Sequence, residues 1–147
     1  AMAFADFTQT AGTTNAGGDF TVTNTYAQTN PGIINVGGNA SITNAVGPLV
    51  MGNLSATGNL SLTSLAGPIT QQAGSALIAY GTTSATATQG GVPTGITLSN
   101  AGNDLRGVVT VTGANVAVAT SGNLAIAGTA VNLTTLSGVR RPSVRPP

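Results

Sequence analysis

The stretch Gly18-Asp19-Phe20-Thr21-Val22-Thr23-Asn24 returns as Gly38-Asn39-Ala40-Ser41-Ile42-Thr43-Asn44 and again as Gly58-Asn59-Leu60-Ser61-Leu62-Thr63-Ser64, each copy twenty residues after the last. A unit of that length is too short to bury a face by itself, so successive copies must stack on one another. Inside each copy the apolar residues share one phase (Phe20 and Val22, Ala40 and Ile42, Leu60 and Leu62) and the hydroxylated residues share the other. That alternation is the period of a β-strand. A second register keeps the same offset: Ile34-Asn35-Val36 recurs as Leu54-Ser55-Ala56, and Ala45-Val46-Gly47-Pro48-Leu49 recurs as Leu65-Ala66-Gly67-Pro68-Ile69. Each unit therefore holds several short strands separated by Gly, Asn and Pro.

Short strands whose equivalent positions stack in successive turns describe an all-β chain wound as a right-handed parallel β-helix, a β-solenoid with coils of about 20 residues. The hand is expected because strand-to-parallel-strand crossovers are overwhelmingly right-handed. At about 4.8 Å per coil, six or seven coils make a rod on the order of 30 Å long. The pattern places Val22, Ile42 and Leu62 in one internal column. Gly18, Gly38 and Gly58 are expected at corners that need positive φ, and Asn24 and Asn44 are expected to stack their amides along the axis.

After Ile69 the frame slips. The region from Thr82 to Gly95 carries Gly90-Gly91 and Pro93 and reads as a coil with an enlarged loop, and further strands follow around Ile96–Leu98, Gly107–Thr112, Asn115–Val118 and Asn123–Ile126. The expected organisation is a lead-in or cap over residues 1–13, the β-helix over 14–137 and a Pro/Arg-rich flexible tail over 138–147. Three prolines and three arginines in the last nine residues remove the amide donors a ladder needs.

Composition narrows the chemistry. The 147 residues include three acids (Asp6, Asp19, Asp104) and four Arg, with no Lys, Glu, His, Cys or Trp. A net charge of +1 gives no steering field for nucleic acid, and none is expected as a partner. Acid–base hydrolysis needs a defined carboxyl pair or a His, and the three Asp are spread over a hundred positions, which speaks against a polysaccharide lyase or hydrolase on this scaffold. The Ser and Thr hydroxyls have no His or Lys to take their proton. No enzyme, cofactor or resident metal is expected. Asp19 fills a turn slot that Asn39 and Asn59 fill in the next units, and Asp104 has Arg106 two residues on, a surface pair. The sequons at Asn39, Asn53, Asn59 and Asn132 are what chance gives in a chain this rich in Asn, Ser and Thr. The start Ala1-Met2-Ala3 carries no basic-then-apolar signal segment, and no apolar run reaches membrane-spanning length.

From Gly67 onward a family pattern is visible. Gly67-Pro68-Ile69-Thr70-Gln71-Gln72-Ala73-Gly74-Ser75-Ala76-Leu77, then Gly95-Ile96-Thr97-Leu98-Ser99-Asn100, then Asn103-Asp104-Leu105-Arg106-Gly107-Val108-Val109 resembles the repeats of filamentous-haemagglutinin-like exoproteins of bacterial two-partner secretion, with Leu105 where those repeats commonly carry Phe. The resemblance covers roughly residues 14–137. It implies a right-handed β-helix, passage through an outer-membrane transporter, a secreted or bacterial cell-surface location, and adhesion or display to a host-cell or neighbouring-cell receptor or glycan. It carries over no catalytic residues.

The leading expectation is thus a structural β-helical stalk segment of a bacterial adhesin or filament. Two alternatives belong to other classes. The columns Thr21, Ser41, Ser61 and Thr23, Thr43, Thr63 resemble the hydroxyl arrays of ice-binding solenoids and are the candidate exposed site. A solenoid without polar caps also exposes strand edges at both ends, which favours end-to-end self-association into fibres.

Overall fold

The structure, a computed structural model, describes residues 1–137, and among the described residues every regular element is a strand. The tail 138–147 and the linker expected there lie outside the described residues. Three sheets wrap one apolar interior, the architecture of a β-solenoid. The first sheet stacks β1 (Met2–Gln9), β3 (Phe20–Gln28), β5 (Ala40–Asn44), β8 (Leu60–Ser64), β11 (Thr83–Gln89), β15 (Val108–Thr112) and β17 (Ala125–Thr129) in that order. The second stacks β2 (Thr13–Ala16), β4 (Ile33–Val36), β7 (Asn53–Ala56), β10 (Leu77–Ala79) and β14 (Asp104–Leu105). The third stacks β6 (Leu49–Met51), β9 (Ile69–Gln71), β13 (Ile96–Leu98), β16 (Asn115–Thr120) and β18 (Asn132–Ser137). Neighbours along all three stacks are parallel.

Strand alternation sets the interior. Val22 pairs with Ile42 and Ile42 with Leu62, and all three side chains are fully buried. The column expected from the repeat therefore exists, and it runs from end to end as Phe4, Val22, Ile42, Leu62, Ala85, Val111 and Gly128. A parallel column beside it reads Met2, Phe20, Ala40, Leu60, Thr83, Val109 and Ile126. Residue size varies along both: Ala40 lies between Phe20 and Leu60, and Ala85 between Leu62 and Val111, so a small residue is flanked by larger ones. Burying one such Leu or Ile stabilises by roughly 1.5–3 kcal/mol relative to leaving it in water.

Coil length varies while register is kept. Ala40 pairs with Leu60, but Leu60 pairs with Thr83 and Thr83 with Val109. The extra residues after Ile69 go into corners and one arm: β11 continues into a turn at Gly90 and Gly91, both at positive φ, and β12 (Val92–Pro93) returns antiparallel against Thr88 and Gln89. Two central residues at positive φ suit a tight hairpin, which is the enlarged loop expected there.

The corner before the first sheet corrects two expectations. Gly18, Gly38 and Gly58 are absent from the residues at positive φ. At Gly38 and Gly58, and at Gly81 in the next coil, the role is close approach: a Cβ on Gly38 would collide with Asp19 Oδ1, one on Gly58 with Asn39 Oδ1, and one on Gly81 with Asn59 Oδ1. The side chains they make room for form an axial chain. Asn39 N–H donates to Asp19 Oδ1 at 2.8 Å, Asn59 N–H to Asn39 Oδ1 at 2.8 Å, and Thr82 N–H to Asn59 Oδ1 at 2.9 Å. Asn24 and Asn44, in contrast, do not stack. Asn24 Nδ2 donates to Asp6 Oδ1, while buried Asn44 accepts from Tyr26 N–H and donates to the carbonyls of Val46, Gly47 and Pro48. The wide corner that follows Asn44 turns its amide inward to satisfy the turn.

Candidate functional site

The outward face of the first sheet carries the expected hydroxyl columns. Thr21 pairs with Ser41 and Ser41 with Ser61, and Thr43 pairs with Thr63. All five are half-buried, as side chains packed against neighbours on a pleated surface should be, whereas Thr23 is exposed. Thr23 stands beyond the β3–β5 ladder, which ends at the Val22–Ile42 pair, and its Oγ1 lies 3.5 Å from the carbonyl of Phe4. The structure thus groups five of the six hydroxyls in two columns and leaves the sixth at their margin.

The array is longer than the exact repeat indicates. Ser61 pairs with Ser84 and Ser84 with Thr110; Thr63 pairs with Thr86, Thr86 with Thr112, and Thr112 with Thr129. One column is therefore Thr21, Ser41, Ser61, Ser84, Thr110, and the other Thr43, Thr63, Thr86, Thr112, Thr129. The change in coil length hides Ser84, Thr86, Thr110, Thr112 and Thr129 from a search at fixed offset. A local signal was present in Ser84-Ala85-Thr86 and Thr110-Val111-Thr112, which repeat the hydroxyl–apolar–hydroxyl phrase of the earlier coils. Columns on such a face stand about 6.6 Å apart along the strand and about 4.8 Å between coils. With no ionisable side chain in either column, the face offers neutral donors and acceptors in a regular lattice and no group that would move a proton at neutral pH.

Charged groups lie outside the two columns. Asp6 accepts from Thr25 Oγ1 at 2.6 Å and Asn24 Nδ2 at 2.8 Å, and these bonds, that from Thr25 first, hold its carboxyl below the usual carboxylate range. Arg106 Nε lies 3.0 Å from Asp104 Oδ2, which raises its already high pKa, and its guanidinium sits 3.9 Å from the centroid of the Tyr80 ring. Among the described residues, no group of three or more His, Cys, Asp or Glu is placed to hold a metal ion.

The two ends differ in kind. At the start of the stack Phe7 and Phe20 meet edge to face at 5.1 Å, Phe4 leans on both at 5.4 and 5.8 Å, and Tyr26 stacks on Phe7 at 5.8 Å. Burial pushes the Tyr26 phenol up, and its hydroxyl donates to Gln28 Oε1. Gln28 in turn donates to Gln9 Oε1, and Gln9 donates to the carbonyls of Gly12 and Ile33. At the other end Val131, Leu133 and Leu136 are exposed, and a pocket of about 190 Å³ opens between Val111, Ile126, Ala127, Gly128, Ala130 and Leu133.

Residues 38–112 match the family described as repeats of unknown function (DUF5649). The chain belongs to that family. The matched stretch runs from the corner glycine of one regular coil to the last hydroxyl of β15. No curated protein and no solved structure gives a significant match.

Proposed function

We propose that the chain is a structural stalk segment of a secreted or surface-displayed bacterial adhesin or filament. The observation that carries this reading is the parallel register through seven consecutive strands of the first sheet, kept even where the coils lengthen. A fold in which each coil touches only its neighbours sets length by copy number, which is what a spacer needs. The phrase behind the resemblance to filamentous-haemagglutinin-like exoproteins has a structural use that fits a stalk. Asn103 is fully buried and accepts from Leu77 N–H and Gln71 Nε2 while donating to the Leu98 carbonyl, so it fastens a corner.

The same resemblance supports export through an outer-membrane transporter. A cysteine-free chain reaches the surface without a disulfide step, and coil-by-coil stacking suits folding as the chain emerges. Antibodies against residues 39–58 applied to intact cells of the source organism are expected to label the surface. Signal confined to permeabilised cells contradicts the reading.

A second reading has its own observation, the hydroxyl lattice that spans five coils in each column. Such a neutral, regular face is suited to ordering water as an ice-binding surface does. Thermal hysteresis of the pure protein, abolished by Thr63→Tyr together with Thr86→Tyr, supports it. No hysteresis at millimolar concentration dismisses it.

A further inference from the structure

We infer that the outward face of the second sheet binds a neutral oligosaccharide, which lies in a groove across β2, β4 and β7 and stacks on the exposed ring of Tyr80. This goes beyond the stalk reading, because it rests on the side chains of one face and holds wherever the rod is displayed.

Two outward columns build the groove. In the first, Asn15 pairs with Asn35, Asn35 with Ser55, Ser55 with Ile78 and Ile78 with Asp104. The residues two places further on keep the same rungs by backbone bonds: Gly37 N–H donates to the Ala16 carbonyl at 2.7 Å, Thr57 to Val36 at 3.0 Å, Tyr80 to Ala56 at 3.1 Å and Arg106 to Ala79 at 3.0 Å. The second column is therefore Gly17, Gly37, Thr57, Tyr80, Arg106. Ala16, Val36, Ala56, Ala79 and Leu105, which stand between the columns, are buried, so strand alternation turns both columns to the outside. Side-chain height rises along the second column, from two glycines through Thr57 to a tyrosine. The low part is an open groove of about 300 Å³ walled by Asn15, Asn35, Ser55 and Thr57, within the size range of small-ligand sites. At about 4.8 Å per coil, Gly17 and Tyr80 stand about 14 Å apart, room for a short run of sugar rings.

Tyr80 closes the groove. Its ring is 51% exposed, and the Arg106 guanidinium lies 3.9 Å from its centroid. Arg106 comes from the following coil and covers one face of the ring, which leaves the other face on the side of Thr57. Asp104 Oδ2, 3.0 Å from Arg106 Nε, holds the guanidinium in place, so the ring is fixed before a ligand arrives.

Charge and hydrogen-bonding capacity select the ligand class. None of Asn15, Asn35, Ser55 and Thr57 ionises, and the charge of Arg106 is matched by Asp104. At the neighbouring corner Asp19 accepts from Asn39 N–H, and its carboxylate repels an anionic chain. The backbones of β4, β7 and β10 are paired on both sides, so an extended peptide finds no free ladder edge there. Asn35 Nδ2 donates to Asn15 Oδ1 at 3.0 Å, which leaves Asn15 Nδ2 to donate and Asn35 Oδ1 to accept. Sugar hydroxyls both donate and accept, so they match these amides and the Ser55 and Thr57 hydroxyls. The C–H face of a pyranose ring packs on an aromatic face, whose negative quadrupole attracts it.

The test titrates the full 147-residue chain with cellotetraose, laminaritetraose, mannotetraose and chitotetraose, followed by amide NMR shifts. At least one is expected to bind with a Kd of about 1 mM or below, moving the signals of Asn35, Thr57 and Tyr80 and leaving those of β5 and β8 in place. Two variants, each checked for the wild-type circular dichroism spectrum and melting temperature, locate the site. Tyr80→Ala is expected to weaken binding about tenfold or more. Gly17→Phe is expected to abolish it, because Gly17 is not at positive φ and a Cβ there meets nothing within 4 Å, so the new ring fills the groove without moving the backbone. A heparin tetrasaccharide is expected not to bind. The inference is overturned if none of the four neutral sugars shifts these signals at millimolar concentration, if binding survives both substitutions unchanged, or if the heparin fragment is preferred.

Discussion

The first coil and the last coil are built from the same ladder and end differently. At the start, Phe4, Phe7, Phe20 and Tyr26 pack into one aromatic cluster and the Gln9–Gln28 pair satisfies the backbone beneath it. At the finish, the residues of β17 and β18 are mostly exposed, although Ile126 and Leu133 continue columns that are fully covered one coil earlier. Position in a column does not bury a residue in a solenoid; the next coil does. Rod stability is therefore uneven among the described residues, with the aromatic coil packed on its own side chains and the last coil exposed.

That contrast can be tested with one substitution at each end. Phe20→Ala removes a fully buried ring that touches both Phe4 and Phe7, and urea unfolding is expected to show a loss of about 3–5 kcal/mol. Leu136→Ala, at 65% exposure, is expected to change stability by about 0.5 kcal/mol or less. Equal losses at the two sites would show that the last coil is covered in solution.

The interior between the ends contains a smaller irregularity. Thr83 sits between Leu60 and Val109, and its buried Oγ1 finds no hydrogen-bond partner. Thr83→Val keeps the shape and removes the orphan hydroxyl, so unfolding free energy is expected to rise by about 1–2 kcal/mol. A fall would mean that the hydroxyl is bonded.

The smallest expected effect is a pH response confined to the first coil. The Asp6 carboxyl lies below its usual range because Thr25 and Asn24 donate to the charged form. Its contribution is therefore present above the unfolded-state value and is lost as pH falls through the lower folded value, a window below about pH 4. Amide exchange in β1 is expected to speed up there while exchange in β8 does not, and Asp6→Asn is expected to remove the difference. Acceleration shared equally by both strands contradicts this assignment.

Much of the fold was legible where the coils keep one length. The alternation in Phe20–Asn44 and Ala40–Ser64 set both strand identity and register, and the Val22–Ile42–Leu62 column followed. Register after Ile69 was not legible, because corner insertions change the offset without changing the ladder, and only backbone pairing shows that Ser61 meets Ser84. For the same reason, three hydroxyls of one column and two of the other were visible, and five stand in each. The corner glycines Gly38 and Gly58 were recognised but for a different physical cause: they, and Gly81 after them, leave room for the Asp19, Asn39 and Asn59 carboxyl or amide groups, a contact between coils that no single coil's sequence displays.

The central claim is that residues of successive coils lie one above another along a single axis. Spin labels at Thr21→Cys and Thr110→Cys, four coils apart in one column, measure this directly by pulsed dipolar spectroscopy. At about 4.8 Å per coil the backbones are separated by about 19 Å, and one narrow distribution near that value, widened only by the label arms, is the predicted result. A distribution centred beyond about 35 Å, or one without a defined maximum, would contradict the stack.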